Sequence, residues 1–161
     1  PMRKPIDHLT EKIGYRFSSP ELLRQALTHK SHPAPRGQES LHYERFEFLG
    51  DSILGFLVSE HLVANFPQAP EGHLTKLKSF LVCAGNLVAV AQQLDLGAHL
   101  ILGPSEEASG GRSKKGLLAD ALEALIAHLV DDHVEPAIEP RGDELIAAPA
   151  VEVDEALDLL W

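Results

Sequence analysis

Residues 42–65 read HYERFEFLGDSILGFLVSEHLVAN, and this stretch decides the fold class. Apolar residues recur in it at intervals of three and four, no proline interrupts it, and Pro67 follows it, so the pattern predicts one long helix. One side of that helix is apolar and predicts a core face formed by Phe46, Leu49, Ile53, Phe56 and Leu57. Three acids, Glu44, Glu47 and Asp51, fall together on the opposite side.

The same helical periodicity extends through most of the first 130 residues. It predicts helices over residues 6–13, 19–27, 72–94, where Gly85 can break the helix, and 117–130. Residues 103–116 are rich in glycine and serine and are predicted as a loop. Because no segment alternates convincingly between apolar and polar residues, the sequence predicts an all-α fold.

Length and composition favour one domain with a tail. The 161 residues are 44% apolar, which is enough for a single core. We place the domain over residues 1–131 and an acidic tail over 132–161, with a final helix at 151–161 that could pack on the domain. The longest apolar runs fall far short of the roughly 18 to 20 residues of a membrane span, so we expect a cytoplasmic protein and no membrane. Cys83, the single cysteine, excludes an internal disulfide and is predicted to be a small core residue.

The formal charge of −10 argues at first against a nucleic-acid partner, because affinity for phosphate comes mostly from lysine and arginine. The charge is concentrated in the tail, however. Residues 131–161 hold ten acids and one base, Arg141, which leaves fourteen acids and thirteen bases in residues 1–130. If some of these acids bind cations, the remaining surface is basic on balance.

Acids one helical turn apart occur twice. The predicted helix over 117–130 carries Asp120 and Glu123 beside an apolar face, as the longer helix carries Glu47 and Asp51. Like charges at this spacing repel each other by about 0.2–0.5 kcal/mol per pair. Two such helices can converge on a hard divalent cation such as Mg²⁺, which prefers oxygen ligands. The spacing is equally typical of two solvated helix faces, and the residues alone leave both interpretations open.

A basic segment precedes the second acid pair. Residues 110–115 read GGRSKK and lead directly into the predicted helix over 117–130. Backbone N–H groups at a helix start, with arginine and lysine beside them, favour phosphate binding. A flexible, solvated loop explains the same composition.

Beyond these patterns, the run YERFEFLGDSIL at 43–54 resembles the signature of the ribonuclease III family, which is Glu-Arg-Leu-Glu-Phe-Leu-Gly-Asp-Ser followed by an apolar pair. Further segments follow in the family's order: ALTHKS at 26–31, FP at 66–67, EGHLT at 71–75, LGP at 102–104, SGG at 109–111 and LADALEALI at 118–126. The resemblance covers residues 6–131 and implies the catalytic domain of a bacterial-type member, with the family's all-helical fold.

The resemblance also implies functional residues. The main catalytic and metal-binding carboxylates would be Glu47, Asp51, Asp120 and Glu123, with Glu123 the one most closely tied to the metal. Glu44 and Glu71 match further acids of the family's cluster, and Phe48 matches a position at its two-fold dimer contact. The cofactor would be Mg²⁺, with Mn²⁺ able to substitute. Candidate contacts to the RNA backbone are Arg45, Lys76, Lys78, Arg112, Lys114 and Lys115.

The implied reaction is hydrolysis of phosphodiester bonds in double-stranded RNA by a homodimer. It would leave 5′-phosphate and 3′-hydroxyl ends with short 3′ overhangs and serve the processing of ribosomal and other RNA. Family members commonly continue into a double-stranded-RNA-binding domain, for which residues 132–161 leave no room, so we expect weak, salt-sensitive RNA binding. Two rivals are a non-catalytic RNA-binding relative and a di-iron carboxylate protein, for which Glu39 and His42 have the spacing but no partner pair.

Overall fold

The chain is helical over the residues that its computed structural model describes, which are 6–34, 36–37 and 41–133. Within these ranges no strand forms, and the only β-type pairing is an isolated bridge between Thr28 and Ile101. The helices are α1 Ile6–Ile13, α2 Pro20–Ala26, α3 Glu44–Asn65, α4 Glu71–Leu81, α5 Ala84–Gln93, α6 Leu96–His99, α7 Pro104–Ala108 and α8 Lys115–His133, with a 3₁₀ turn at Gly111–Ser113. The all-α prediction is confirmed.

Helix α8 is the central element of the core. Alanine and leucine dominate its sequence, and the small alanines let neighbouring helices approach from several sides. Its residues are buried almost all round: Leu118, Ala119, Ala121, Leu122, Ala124, Leu125, Ile126, Ala127, His128 and Leu129. Burial extends to His128, whose ring stacks on Phe46 with centroids 3.9 Å apart and whose pKa is lowered to about 4 by burial. This histidine is therefore neutral in the folded core at neutral pH.

Helix α3 packs along α8 with a face that only partly matches the one its sequence predicts: Leu57 is buried, and Phe46 and Ile53 pack against the core. Its buried residues are Gly50, Leu54, Leu57, Val58 and Leu62. Two residues of the predicted core face, Leu49 and Phe56, are instead 43% and 62% exposed. The helix is rotated so that its acidic side turns toward α8, while part of its apolar side stays on the surface. The prediction that the acids lie opposite the core was therefore wrong for Glu47, which turns toward α8, while Asp51 is exposed as predicted.

Three further local expectations change. The predicted helix over 72–94 breaks at Val82 and Cys83, slightly before Gly85, giving α4 and α5. Cys83 forms the N-terminal boundary of α5 and is exposed, so its expected core role was wrong. The stretch predicted as a loop over 103–116 contains α7, the 3₁₀ turn and the first residues of α8. The predicted helix over 151–161 lies outside the described residues.

Backbone pairing holds the segment after α2 against two other parts of the chain. The Ile101 N–H donates to the Leu27 carbonyl at 2.8 Å, and the His29 N–H donates to the Ile101 carbonyl at 3.0 Å. The Tyr43 N–H donates to the Thr28 carbonyl at 3.0 Å. Residues 27–31 therefore lie fixed beside the start of α3.

In the part of the chain that the structure describes, no single helix is long and apolar enough to cross a bilayer. Helices α4 and α5 would meet the length and composition only as a pair, and they are bent by 46° at their break.

Candidate metal centre

Three carboxylates from α3 and α8 meet in one place. Glu47, Asp120 and Glu123 each offer an oxygen, and these atoms lie within 4.8 Å of one another. All three side chains are partly buried rather than solvated. The interpretation of the acids as two separate solvated helix faces is therefore wrong for these residues.

Helix geometry explains why these acids meet. Asp120 and Glu123 are three residues apart on α8, so they project from one side of that helix. On α3, Glu47 stands three residues before Gly50, at which the two helices touch. Glu47 therefore shares the face of α3 that packs against α8. Close helix contact next to the acids forces their side chains into the same narrow space.

Burial raises the pKa of each of the three carboxyls, and neighbouring negative charges add to the effect. Burial, reinforced by Asp51, Asp120 and Glu47, raises the pKa of Glu123 to about 7. Burial also raises the pKa of Glu47, with further contributions from Asp120 and Glu44. The pKa of Asp120 is raised chiefly by burial, against an opposing effect of His29. Without a cation, this group of acids therefore retains protons at a pH at which ordinary carboxyls are ionised.

These residues fit a hard divalent cation. Mg²⁺ and Mn²⁺ prefer oxygen ligands, and carboxylates are the strongest of these in proteins. A cation among the three acids would favour their charged forms against the burial and repulsion that raise their pKa values, so its binding would release protons. The half-buried position leaves an open side for water and substrate, as a catalytic Mg²⁺ site needs.

Three other predicted acids lie outside this group. Asp51 is exposed on α3, one turn after Glu47, and is the first of the charged neighbours that raise the pKa of Glu123. Glu44 accepts a hydrogen bond from the Lys30 ammonium at 2.6 Å, which lowers the pKa of Glu44. Glu71, at the start of α4, accepts a hydrogen bond from Thr75 Oγ1 at 2.6 Å. Asp51 is thus beside the three acids, Glu44 is ion-paired at their edge, and Glu71 is not joined to them.

Sequence reasoning assigned no role to three residues that adjoin the acids. Lys30 and His29 are the basic side chains that act on Asp120, and Lys30 also acts on Glu47. Burial lowers the pKa of His29 itself. Tyr43 is almost completely buried, and burial followed by the charge of Asp120 raises the pKa of its hydroxyl. The family-like segment at 26–31 contains two of these residues, so their position was visible in the sequence although their role was not.

The predicted RNA contacts fall into different environments. Arg45, Lys76 and Lys115 are exposed, and Lys78 is partly buried with its ammonium over Gly55. The Lys114 ammonium donates to Glu106 and to Ser109 Oγ.

Arg112 is bound within the domain. Its guanidinium donates twice to the Glu107 carboxylate, at 2.7 Å each, and Nη1 donates to the carbonyls of Gly97, Ala98 and Leu100. Because these bonds engage Nε and both terminal nitrogens, the structure gives Arg112 an internal role instead of the RNA contact expected for it.

Comparison with known proteins agrees with this arrangement. The family model described as Ribonuclease-III-like matches residues 19–137, which include all of α3 and α8. The chain belongs to the ribonuclease-III-like family. Two relatives similar to this ribonuclease-III-like chain are Ribonuclease 3 of Solibacter usitatus, 49% identical over 96% of this chain, and Ribonuclease 3 of Methylococcus capsulatus, 46% identical over 81% of it.

Solved structures show the same fold. The nuclease domain of ribonuclease III from Campylobacter jejuni is 38% identical and superimposes with a TM-score of 0.73 over 80% of this chain and 86% of that one. That structure is described as showing flexibility in a region involved in dimer formation of the Campylobacter domain. The ribonuclease-III-like chain spans 60% of the Solibacter protein and 54% of the Methylococcus protein.

The ribonuclease-III-like domain leaves a row of apolar side chains on the surface of α3. Phe48 is 80% exposed, Phe56 62% and Val63 60%. Beside Phe56, an open apolar depression is lined by Ser52, Ile53, Leu57 and Val130. Exposed aromatic residues next to an apolar depression are typical of a protein contact surface.

Proposed function

We propose that this chain is the nuclease domain of a ribonuclease III and hydrolyses phosphodiester bonds of double-stranded RNA with the help of a divalent cation. The observation that carries the proposal is the convergence of Glu47, Asp120 and Glu123 within 4.8 Å. Family membership supports it, because the relatives that match are Ribonuclease 3 proteins. The domain is thus proposed to supply the catalytic part of a longer enzyme.

The three converging acids would hold Mg²⁺, or Mn²⁺ in its place, and Asp51 would complete the catalytic set. When bound, the ion lowers the pKa of water and offsets the charge of the phosphate. Glu47, Asp120 and Glu123 fix its position from two rigid helices, which suits a reaction that depends on alignment. Asp51 is exposed one turn after Glu47, and its charge acts on Glu123. Glu44, ion-paired at the edge of the three acids, and Glu71, which is not joined to them, stay accessory acids that the family resemblance implies.

The substrate would be recognised chiefly through its backbone. A-form RNA is read mainly by shape and by contacts to phosphate and 2′-hydroxyl groups. Arg45, Lys76 and Lys115 are exposed cations suited to this role, with Lys78 and Lys114 near them in sequence. Arg112 is left out of the proposal because its guanidinium is bound inside the domain.

A homodimer would align two such centres on one duplex. The exposed Phe48 and the apolar depression beside Phe56 support a contact through α3. Paired cuts, one on each strand, would leave 5′-phosphate and 3′-hydroxyl ends with short 3′ overhangs. Processing of ribosomal and other RNA, and a cytoplasmic location, stay predictions from the sequence.

A non-catalytic RNA-binding relative is the main rival. Such a protein would have no reason to keep three acids crowded at raised pKa values, since their repulsion destabilises the fold. The di-iron alternative needs Glu-x-x-His pairs on facing helices. The three converging acids include no histidine, and Glu39 lies outside the described residues.

The test is cleavage of a perfect RNA duplex in Mg²⁺ at low salt. The unmodified chain should cut both strands, Glu123→Gln should abolish cutting, and removal of Mg²⁺ with a chelator should do the same. Glu60→Gln is the matched control, because it removes the same charge from an exposed position on α3. If ample unmodified protein leaves the duplex intact, the proposal fails for this chain.

A further inference from the structure

The Tyr43 hydroxyl is a buried polar group that has no hydrogen-bonding partner in the described part of the chain. The side chain is 1% exposed, and its oxygen finds no hydrogen-bonding atom among the described residues. Buried hydroxyls almost always have a partner, either in the protein or in ordered water, because leaving one unpaired is unfavourable. We therefore expect the Tyr43 hydroxyl to form a hydrogen bond with a partner such as an ordered water.

The backbone and ring of Tyr43 are held in place, so the hydroxyl cannot turn to solvent. The Tyr43 N–H donates to the Thr28 carbonyl at 3.0 Å, and the Tyr43 carbonyl accepts from the N–H groups of Phe46 and Glu47, each at 2.8 Å. The ring lies against the His29 ring with centroids 5.7 Å apart. Tyr43 thus occupies a fixed position at the start of α3, one turn before Glu47.

The His29 side of the site is fixed as well. The Ser31 N–H donates to His29 Nδ1 at 3.2 Å, and the Gly103 N–H donates to Ser31 Oγ at 2.9 Å. His29 Nδ1 also lies 2.8 Å from Ser31 Oγ. Tyr43 therefore packs against a ring that cannot easily move aside.

Acids are the charged groups that act on the Tyr43 hydroxyl most strongly: Asp120 first, followed by Glu47 and Glu44. The backbone bond from the Glu47 N–H to the Tyr43 carbonyl also ties Tyr43 to one of these acids. Burial, reinforced by these charges, raises the pKa of the phenol, so it stays protonated and acts as a hydrogen-bond donor. A single water between a buried donor and a buried carboxylate is a common arrangement when the direct distance is too long.

We propose that Tyr43 is a positioning residue of the metal centre, whose hydroxyl donates, through one buried water, to the Asp120 carboxylate and fixes the orientation in which Asp120 binds a cation. The inference rests on the proposed function, because it assigns Asp120 as a ligand. Hydrogen bonds from neighbouring groups orient metal ligands in this way, and losing one typically lowers metal affinity by about tenfold or more.

The two tyrosines of the chain provide a matched pair of variants. Tyr15→Phe removes a hydroxyl that donates to Asp132 at 2.6 Å, at the far end of α8 from the acids. Mn²⁺ binding to the full chain without RNA is measured by titration calorimetry or by the electron paramagnetic resonance of the free ion. We expect Tyr43→Phe to weaken Mn²⁺ binding by about tenfold and Tyr15→Phe to leave it unchanged while lowering the melting temperature.

A spectroscopic measurement on the unmodified chain does not depend on either variant's folding. With ¹³C at the ζ carbon of tyrosine, the Tyr43 resonance should shift when Mg²⁺ is added, and the Tyr15 resonance should stay in place. Equal Mn²⁺ affinity of Tyr43→Phe and the unmodified chain, or a Tyr43 resonance indifferent to Mg²⁺ at saturation, would overturn the positioning role alone. Absence of Mn²⁺ binding sensitive to Glu123→Gln would overturn the proposed function and this inference together.

Discussion

Gly50 of α3 lies against the backbone of Glu123 in α8, so closely that a β-carbon at position 50 would stand 1.9 Å from the Glu123 carbonyl oxygen. No side chain can occupy that space without moving one helix. The contact sits between Glu47 and Asp51 on one helix and beside Asp120 on the other. The closest approach of the two helices therefore coincides with the convergence of the acids.

Replacing this glycine should loosen both the fold and the metal centre. Gly50→Ala forces α3 and α8 apart, which we expect to destabilise the domain by about 1–3 kcal/mol, as overpacking of a core does. Mn²⁺ affinity should fall as well, because Glu47 moves away from Asp120 and Glu123. Urea denaturation gives the first quantity, and calorimetric titration with Mn²⁺ gives the second.

Gly55→Ala is the control for helix propensity on the same helix. A β-carbon there would meet only the flexible end of Lys78, at 3.4 Å. Alanine favours a helix over glycine by about 1 kcal/mol, so this variant should be as stable as the unmodified chain or more so. If Gly50→Ala behaves like Gly55→Ala in both measurements, the close helix contact at Gly50 does not determine how near the acids of α3 and α8 lie to each other.

The raised pKa of Glu123 predicts that the free energy of unfolding of the metal-free domain depends on pH. Its pKa is raised from 4.5 to about 7 in the folded domain. The folded state then holds the proton more tightly than the unfolded state, so this contribution to stability is complete below pH 4.5 and is lost as the pH rises through about 7. Glu123→Gln stays neutral and should stabilise the metal-free domain at about pH 8, on the order of 1–2 kcal/mol after allowing for solvent screening.

Denaturation in a chelator at about pH 4 and about pH 8 measures this difference. The gain from Glu123→Gln should be small at the lower pH, and saturating Mg²⁺ should reverse it by stabilising the unmodified chain. Glu60→Gln, which removes the same charge from an exposed position of α3, is the control. A Glu123→Gln variant no more stable than the unmodified chain at the higher pH would contradict the crowding of the acids.

Local periodicity was sufficient to find both acid pairs, because spacing of three and four residues fixes which side chains share a helix face. It was not sufficient to decide which face of α3 is buried. Phe56 is as apolar as Leu54, yet Phe56 is 62% exposed and Leu54 is 1% exposed. Burial there depends on the fit to α8 at Gly50, which no property of α3 alone encodes.

Long-range contacts explain the other residues that sequence reasoning missed. Tyr43 and His29 are fourteen positions apart, and only the pairing of Tyr43 with Thr28 brings them together. Arg112 looked like a surface cation because its acceptors are mostly backbone carbonyls, which carry no signal in the sequence. Composition reveals charge but not which partner binds it.

Arg112 and Lys115 should separate folding from RNA binding. Arg112→Lys keeps the charge but loses the paired bonds to Glu107, so we expect a loss of about 1–3 kcal/mol in stability with RNA affinity preserved in the folded fraction. Lys115→Ala should leave the melting temperature unchanged. It should weaken binding to duplex RNA uniformly across sequences. The slope of the logarithm of RNA affinity against the logarithm of salt concentration should fall in magnitude by about 1.

Filter binding at several salt concentrations, alongside thermal denaturation, measures both variants. The opposite pattern, with Arg112→Lys as stable as the unmodified chain but deficient in RNA binding, would indicate that Arg112 contacts RNA.

Phe48 should govern self-association through the exposed face of α3. At 80% exposure it contributes little to the monomer's core, so Phe48→Ser should not lower the stability of the monomer. An aromatic side chain that is buried only between two copies is typical of an interface hot spot, and its loss should weaken a dimer by about 2 kcal/mol or more. Sedimentation equilibrium over a range of concentrations measures this shift in the dimer dissociation constant.

Phe80→Ser is the control, because Phe80 is also exposed, at 67%, but lies on α4. If both variants dissociate equally, or if neither does, the contact between copies does not run through Phe48. Because Glu47 adjoins Phe48 in the chain, a dimer formed here would also place the two metal centres at a fixed separation, so weakened association should reduce paired cutting of the two strands before it reduces single cuts.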